Sequence, residues 1–164
     1  MITFFVPGIP RPGGSKTPLG RSRVTGKYMV KEAGRHTPGW REAVAWGGRM
    51  AMGPLQPLDG PLRVTFSFYL PRPLAHAIRG TLTHASGRWI FQVRAGAPRF
   101  PIPAPGKRGG SIPDTTKLVR AAEDALTGVC WVDDGQIVEQ LATKDYAGPE
   151  QAAGVRITIK PLLP

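Results

Sequence analysis

The stretch SIPDTTKLVRAAEDALTGVCWVDDGQIVEQ, residues 111–140, combines the patterns of a helix, a turn and the start of a strand. It also holds six of the eleven acidic residues of a 164-residue chain whose net charge is +11. These six are Asp114, Glu123, Asp124, Asp133, Asp134 and Glu139. Such clustering in a basic protein predicts a specific use for the carboxylates.

Residues 115–127 are predicted to form a helix that ends at Gly128. Its apolar side consists of Leu118, Ala121, Ala122, Ala125 and Leu126. A second stripe, at positions i, i+4 and i+7, consists of Thr116, Arg120 and Glu123. Asp114 precedes the first turn, where its side chain is also suited to cap the helix. The helix is therefore expected to present an oxygen-rich, partly basic stripe, to which the Asp133-Asp134 turn can return.

Hydrophobic patterns around this stretch predict the other elements of the fold. Residues 61–70 alternate apolar and polar side chains over a half-buried strand, and further strands are expected at 2–8, 136–146 and 154–160. A second helix is predicted at about 38–52, with Thr37 as its N-cap. This order predicts an α+β fold, with two helices packed on a small mixed β-sheet and long basic loops.

The chain is expected to form a single domain over residues 1–164, because this length can bury a core. Its 21 glycines and 18 prolines predict long irregular connections. One is a basic N-terminal loop, 8–37, with a short strand around KYMVK. The other is a Pro/Gly/Arg-rich insertion, 71–113, in which GRWIFQVRAG is suited to pair into a hairpin arm.

Positive charge is concentrated in these two connections. Residues 1–49 carry nine Lys/Arg against two acids, and residues 72–113 carry seven against none. This distribution predicts a polyanionic partner, although a generally solvated basic surface is the simpler alternative. Binding to a membrane surface is disfavoured, because the basic residues lie in loops and not along an amphipathic helix.

Several classes of protein are excluded or disfavoured by composition. The single cysteine, Cys130, excludes an intramolecular disulfide and a Cys-rich zinc site. No apolar run approaches the ~18 residues of a membrane span, and no leader pattern opens the chain, so a soluble intracellular protein is expected. Ser15-Lys16 lacks the rest of a phosphate-binding loop, so no nucleotide cofactor is expected.

Clustered carboxylates between basic segments are typical of a metal site that acts on phosphate. Mg²⁺ prefers oxygen ligands, and takes one or two carboxylates with water and substrate phosphate. Such an ion can activate water and stabilise a leaving oxygen. The cluster therefore predicts a metal-dependent phosphodiesterase.

The segments PDTTKLVRAAEDALTG and WVDDGQIV resemble the core motif of the RusA-type Holliday-junction resolvases, in which a PDxDN/K-L-x-K/R helix precedes a W-x-DD-x-Q-V turn. The opening FFVPGIPRPGGSK is similar to that family's first strand and basic loop. The resemblance implies a RusA-like fold and a Mg²⁺-dependent endodeoxyribonuclease, with Mn²⁺ as the alternative ion. It also implies binding of branched DNA and resolution of four-way junctions by paired phosphodiester hydrolysis. Paired cleavage implies a homodimer, and the family implies a bacterial or phage-infected host cytoplasm.

The resemblance assigns the site position by position. Asp114 matches the family's first catalytic aspartate, Asp134 the distal one, and Arg120 the catalytic Lys or Arg. Thr116 departs from the motif, because the usual second carboxylate is missing, and our hypothesis is that Glu123 replaces it. The expected catalytic residues are Asp114, Glu123, Asp134 and Arg120. The expected metal ligands are Asp114, Glu123, Asp133 and Asp134.

Basic residues in the loops and at the start of the helix are expected to bind DNA. They are Arg11, Lys16, Arg21, Arg23, Lys27, Arg99, Lys107, Arg108 and Lys117. Two other functions stay open: a non-catalytic DNA-structure-binding protein with a degenerate resolvase site, and a basic RNA- or ribosome-associated protein whose acids are structural. The acids also have structural interpretations, as a helix cap at Asp114, an ion pair at Glu123 and turn residues at Asp133-Asp134.

Overall fold

The computed structural model of the chain describes residues 1–14, 16–32, 34–73, 76–85, 88–93, 95–102, 112–148 and 151–162. Its strands are β1 (Ile2–Pro7), β2 (Lys16–Arg21), β3 (Tyr28–Glu32), β4 (Leu62–Leu70), β5 (Ala77–Ala85), β6 (Arg88–Val93), β7 (Ile137–Tyr146) and β8 (Gly154–Pro161). Its helices are α1 (Thr37–Met52) and α2 (Thr115–Leu126), and a short 3-10 turn covers Asp134–Gln136. The predicted core helices and strands are confirmed within one residue at each end.

The core is a mixed four-stranded sheet in the order β1-β8-β4-β7. β8 runs antiparallel to both of its neighbours, whereas β4 and β7 are parallel. The alternation predicted for β4 is confirmed, because Val64, Phe66 and Phe68 are fully buried while Arg63 is exposed. α1 contacts β1 and α2, and α2 contacts β7. The predicted α+β fold, two helices on a small mixed sheet, is confirmed.

The two helices approach closely at a glycine of α1. A Cβ atom added to Gly48 would lie 2.6 Å from Leu126 Cδ2 and 2.9 Å from Cys130 Sγ, and both of these side chains are fully buried. Burial also raises the pKa of the Cys130 thiol to about 11, in keeping with a small hydrophobe and not a nucleophile. Glycine at this position therefore lets α2 sit against α1.

The start of α1 differs from the prediction. His36 occupies the N-cap position, and Thr37 is the first helical residue. The Thr37 side chain is buried, and its hydroxyl donates a hydrogen bond to the Pro12 carbonyl at 3.0 Å. The prediction of Thr37 as the N-cap was wrong because this hydroxyl ties the N-terminal loop to α1 instead of closing the helix end.

Both long connections contain hairpins. β2 pairs with β3 inside the predicted loop 8–37, so that segment is more ordered than its composition suggested. β6 pairs with β5, which confirms the hairpin predicted in 71–113 and extends it back to Ala77. Within the described part of the chain, no helix has both the length and the hydropathy to cross a bilayer.

Replacing Gly48 by Ala tests the helix contact. Alanine normally stabilises a helix interior by about 1 kcal/mol relative to glycine. At Gly48 the added methyl group must displace buried side chains, and overpacking of this kind costs about 1–3 kcal/mol. We expect Gly48→Ala to lower the free energy of unfolding, measured by urea denaturation.

The matched control is Gly39→Ala in the same helix, where an added Cβ would meet nothing within 4 Å. This variant should keep or gain stability. Equal stabilisation by both substitutions would contradict the close contact between α1 and α2.

Candidate active site

Two glycines of the N-terminal loop lie against α2. The Gly13 N–H donates a hydrogen bond to the Lys117 carbonyl at 2.8 Å, and a Cβ on Gly13 would lie 3.1 Å from the Ala121 backbone. Gly14 adopts φ +82°, and a Cβ there would lie 2.9 Å from both Cδ and a terminal nitrogen of Arg120. The loop therefore crosses α2 beside Arg120, which brings the start of the basic segment to the predicted catalytic stripe.

β7 holds the other side of α2. Gln140 lies opposite the buried Val64, so its side chain is on the face of the sheet that carries the helices. Its amide donates a hydrogen bond to the carboxylate of Glu123. Sequence reasoning missed Gln140, because its relation to α2 depends on the register between β4 and β7, which no local pattern encodes.

The turn before β7 is closed by a reciprocal pair of hydrogen bonds. The Asp133 carboxylate accepts from the Gly135 N–H at 2.8 Å, and the Asp133 N–H donates to the Gln136 side-chain oxygen at 2.9 Å. The Gln136 side-chain amide also donates to Asp59 Oδ1 at 2.9 Å. This network fixes the backbone on which Asp134 stands. The contribution of Asp59 was not predicted, since it lies far away in sequence.

Glu123 is half-buried, and its environment brings together three predicted site residues. Burial raises the pKa of its carboxyl group, and the hydrogen bond from Gln140 opposes that rise. The negative charge of Asp134 raises this pKa further, and the positive charge of Arg120 lowers it. Glu123 therefore lies within electrostatic reach of both Asp134 and Arg120.

Asp114 lies at the N-terminal end of α2. It occupies the N-cap position of α2, but its carboxylate caps no backbone N–H among the described residues. Its side chain is 69% exposed, and the Lys117 ammonium lies 3.7 Å from its Oδ2. Nine residues of helix separate Asp114 from Glu123, which corresponds to about 13 Å along the axis. The structure therefore does not support the side-chain cap, and it does not bring these two carboxylates together.

Two other acids of the cluster join elements of the fold. Asp124 forms an ion pair with Arg41, which connects α2 to α1. Glu139 forms one with Arg63, its register partner on β4. Glu139 precedes Gln140 along β7 and so lies on the other face of the sheet. Part of the acidic clustering is therefore structural.

The donor set fits a hard divalent ion in part. In residues 1–162, leaving aside the gaps that the structure does not describe, no group of three or more His, Cys, Asp or Glu side chains could hold one ion. Mg²⁺ usually takes only one or two carboxylates from a protein, so the ligand roles of Glu123 and Asp134 stay predictions. The ligand role of Asp133 stays a prediction, because one of its oxygens already caps the turn.

The predicted DNA-binding residues fall in different places. Arg11 is half-buried in the loop before α2, and Lys117 is exposed on α2 itself. Arg21, Arg23 and Lys27 are exposed on the β2–β3 hairpin. The side chain of Lys16, and all of Lys107 and Arg108, lie outside the described residues.

Arg99 is set apart from this group by an ion pair. Its Nε lies 3.1 Å from Asp145 Oδ1, while the guanidinium remains largely exposed over the ring of Phe100. The register of β7 places Asp145 on the face of the sheet opposite to Gln140. The structure therefore does not bring Arg99 to the stripe on α2.

Comparison with known proteins relates this geometry to a family. A protein-family model described as endodeoxyribonuclease RusA matches residues 11–160. No curated protein matches the sequence significantly. RusA-type proteins are Holliday-junction resolving endonucleases of DNA recombination and repair, they bind branched DNA, and they generally use a divalent metal. Because the match covers most of the chain, including α2 and the turn before β7, this protein belongs to the RusA endodeoxyribonuclease family.

Proposed function

We propose that this chain is a Mg²⁺-dependent endodeoxyribonuclease that binds four-way DNA junctions and resolves them by paired phosphodiester hydrolysis. Mn²⁺ is the alternative ion. The observation that carries the proposal is the proximity of Glu123, Asp134 and Arg120, with the glycine turn of the basic loop beside them. Family membership supports the general activity within this proposal, that of an endonuclease acting on Holliday junctions.

Within this proposal the residues of the C-terminal half of α2 have separate roles. Glu123 and Asp134 hold the divalent ion, which supplies Lewis-acid stabilisation of charge on the attacked phosphate. Arg120 stabilises the same developing charge. Asp133 and Gln136 hold Asp134 in position through the closed turn. The raised pKa of Glu123 supports this assignment, because carboxyl groups with perturbed pKa values cluster at functional sites.

Asp114 has a separate place in the proposal. The rise of the helix keeps it from sharing an ion with Glu123, since Mg²⁺–oxygen distances are only about 2.1 Å. Its carboxylate is exposed and makes no cap hydrogen bond to the described residues of the helix, so it is available for chemistry at the N-terminal end of α2. We retain its predicted catalytic role as a second hypothesis, tested by Asp114→Asn in the same cleavage assay.

Binding to DNA is proposed to use the basic loop and the β2–β3 hairpin. Arg11, Arg21, Arg23 and Lys27 would contact backbone phosphates, and counterion release would make the affinity steeply salt-dependent. Two symmetric cuts need two active sites, so we propose a homodimer whose two-fold axis matches that of the junction.

A non-catalytic DNA-structure-binding protein is the second candidate. One observation favours it: the described residues contain no metal-binding group of three or more side chains, and Thr116 adds no charge where the family motif has an aspartate. Both candidate functions include tight binding of junctions, so a binding assay cannot distinguish them. A cleavage assay can.

Cleavage of a labelled four-way junction, beside linear duplex, tests the proposed function. Wild-type protein should make paired nicks in the junction only when Mg²⁺ or Mn²⁺ is present. Substitutions outside the ligand shell of a metal typically lower activity by roughly 10–100-fold. The cleavage rate of Glu123→Gln should fall by more than this, and the variant should still bind the junction.

Glu139→Gln is the matched control, because it removes a neighbouring carboxylate that faces the other side of the sheet. It should cleave at the wild-type rate. Tight binding without cleavage by the wild type would establish the second candidate, and full activity of Glu123→Gln would contradict the role of Glu123.

The stability of metal-free protein gives a second test of Glu123. Its folded-state pKa is raised, mainly by burial, so ionisation is harder in the folded chain than in the unfolded chain. The Glu123 carboxyl group therefore contributes to the free energy of unfolding below its unfolded-state pKa. This contribution is lost as the pH rises through its folded-state pKa. Above that range, in chelator, Glu123→Gln should raise the melting temperature.

Glu139 has the opposite pKa shift, because its hydrogen bond to Arg63 lowers its pKa. Glu139→Gln should therefore not raise the melting temperature at neutral pH. A melting temperature that falls in Glu123→Gln would mean that the ionised carboxylate stabilises the fold, against the functional interpretation.

A further inference from the structure

A lysine on β7 is directed at the beginning of α2. Lys144 lies opposite the fully buried Phe68, on the face of the sheet that carries the helices, and is itself half-buried. Its ammonium donates a hydrogen bond to the Pro113 carbonyl at 3.0 Å. This carbonyl immediately precedes Asp114. Neither the sequence motif nor the proposed chemistry uses Lys144.

The hydrogen-bond partner of the half-buried Lys144 is a neutral carbonyl. Lysine is rarely buried without a partner, and a neutral carbonyl compensates only part of the loss of hydration. The N-terminal end of a helix carries partial positive charge, so a second cation there is unfavourable unless an anion is close. Asp114 is the acidic residue at this end of α2, and Lys117 already lies 3.7 Å from its carboxylate. Lys144 is therefore bonded to the backbone just before Asp114, which suggests a positioning role for this lysine.

Two positions on one face of β7 are as far apart as Asp114 and Glu123 are along α2. Gln140 and Lys144 are four residues apart on one face of the strand, which is about 13 Å. Asp114 and Glu123 are nine residues apart on the helix, which is again about 13 Å. Gln140 contacts Glu123 directly, and Lys144 contacts the residue before Asp114. β7 therefore contacts α2 at Glu123 and the chain just before Asp114.

We infer that Lys144 is a positioning residue, which holds the backbone at the Pro113-Asp114 junction and thereby fixes the position of the exposed Asp114 carboxylate. This inference rests on the proposed nuclease function and, within it, on the catalytic role of Asp114 that Asp114→Asn tests. Lys144 acts through the backbone and need not touch DNA. Its removal should therefore slow the chemical step and leave DNA binding unchanged.

Lys144→Met is the decisive variant, measured with saturating junction in single-turnover cleavage. We expect the rate to fall about 10–100-fold, as for other residues that orient a catalytic group. The dissociation constant for the junction in chelator should stay within about twofold of wild type, and the melting temperature should be equal or higher. Lys144→Arg, whose guanidinium can also reach a carbonyl, should recover most of the rate.

The matched control is Lys160→Met on β8 of the same sheet, where the lysine is exposed and lies opposite Arg63 of β4 in the register. It should leave rate, affinity and stability unchanged. A weaker affinity with a normal rate at saturation would make Lys144 a phosphate contact and overturn the inference, as would equal loss in both the Met and Arg variants.

The result for the wild type distinguishes failure of the proposed nuclease function from failure of the role of Lys144. A wild-type chain that binds but never cleaves the junction overturns the proposed function and this inference together. A wild type that cleaves, beside a fully active Lys144→Met, overturns the inference alone.

Discussion

The parallel pairing of β4 with β7 is the constraint on which the site depends. Parallel neighbours cannot be joined by a tight turn, so the chain between Leu70 and Ile137 has to leave the sheet and return. α2 lies within that crossover, on the face of the sheet that carries the helices, and the chain re-enters the sheet through the Asp134–Gln136 turn. Glu123 and Asp134 approach each other because of this path. A hairpin connection would have left them as two unrelated acidic segments.

The six clustered acids therefore serve two different purposes. Asp124 and Glu139 neutralise arginines on α1 and β4 and help to hold the elements together. Glu123 is held by Gln140 in a half-buried place that disfavours its charge. Functional sites often hold a carboxylate where its ionised form is disfavoured, which lowers the stability of the fold but suits the group to its reaction. The acidic clustering in a basic chain thus combines structural ion pairs with a candidate nuclease centre.

Patterns that are local in sequence predicted the fold well. The alternation in Leu62–Leu70 and the apolar side of α2 report burial directly, and both are confirmed. Contacts made across the fold escaped prediction, as with Gln140 and Lys144, because the face each presents depends on the register of β7 against β4. Thr37 was misassigned for the same reason, since its partner is Pro12, 25 residues away. The expected set of four carboxylate ligands stays a prediction, since the described residues hold no group of three or more such side chains and the helical rise separates Asp114 from Glu123.

We propose that Glu123, and not Asp114, shares the divalent ion with Asp134. Binding of Mn²⁺ to the free protein, followed by electron paramagnetic resonance of the unbound ion, tests it directly in wild type, Glu123→Gln and Asp114→Asn. We expect at least about tenfold weaker binding in Glu123→Gln and near wild-type binding in Asp114→Asn if this proposal holds. Weakened binding in Asp114→Asn with unchanged binding in Glu123→Gln would contradict it and return the ion to the N-terminal end of α2.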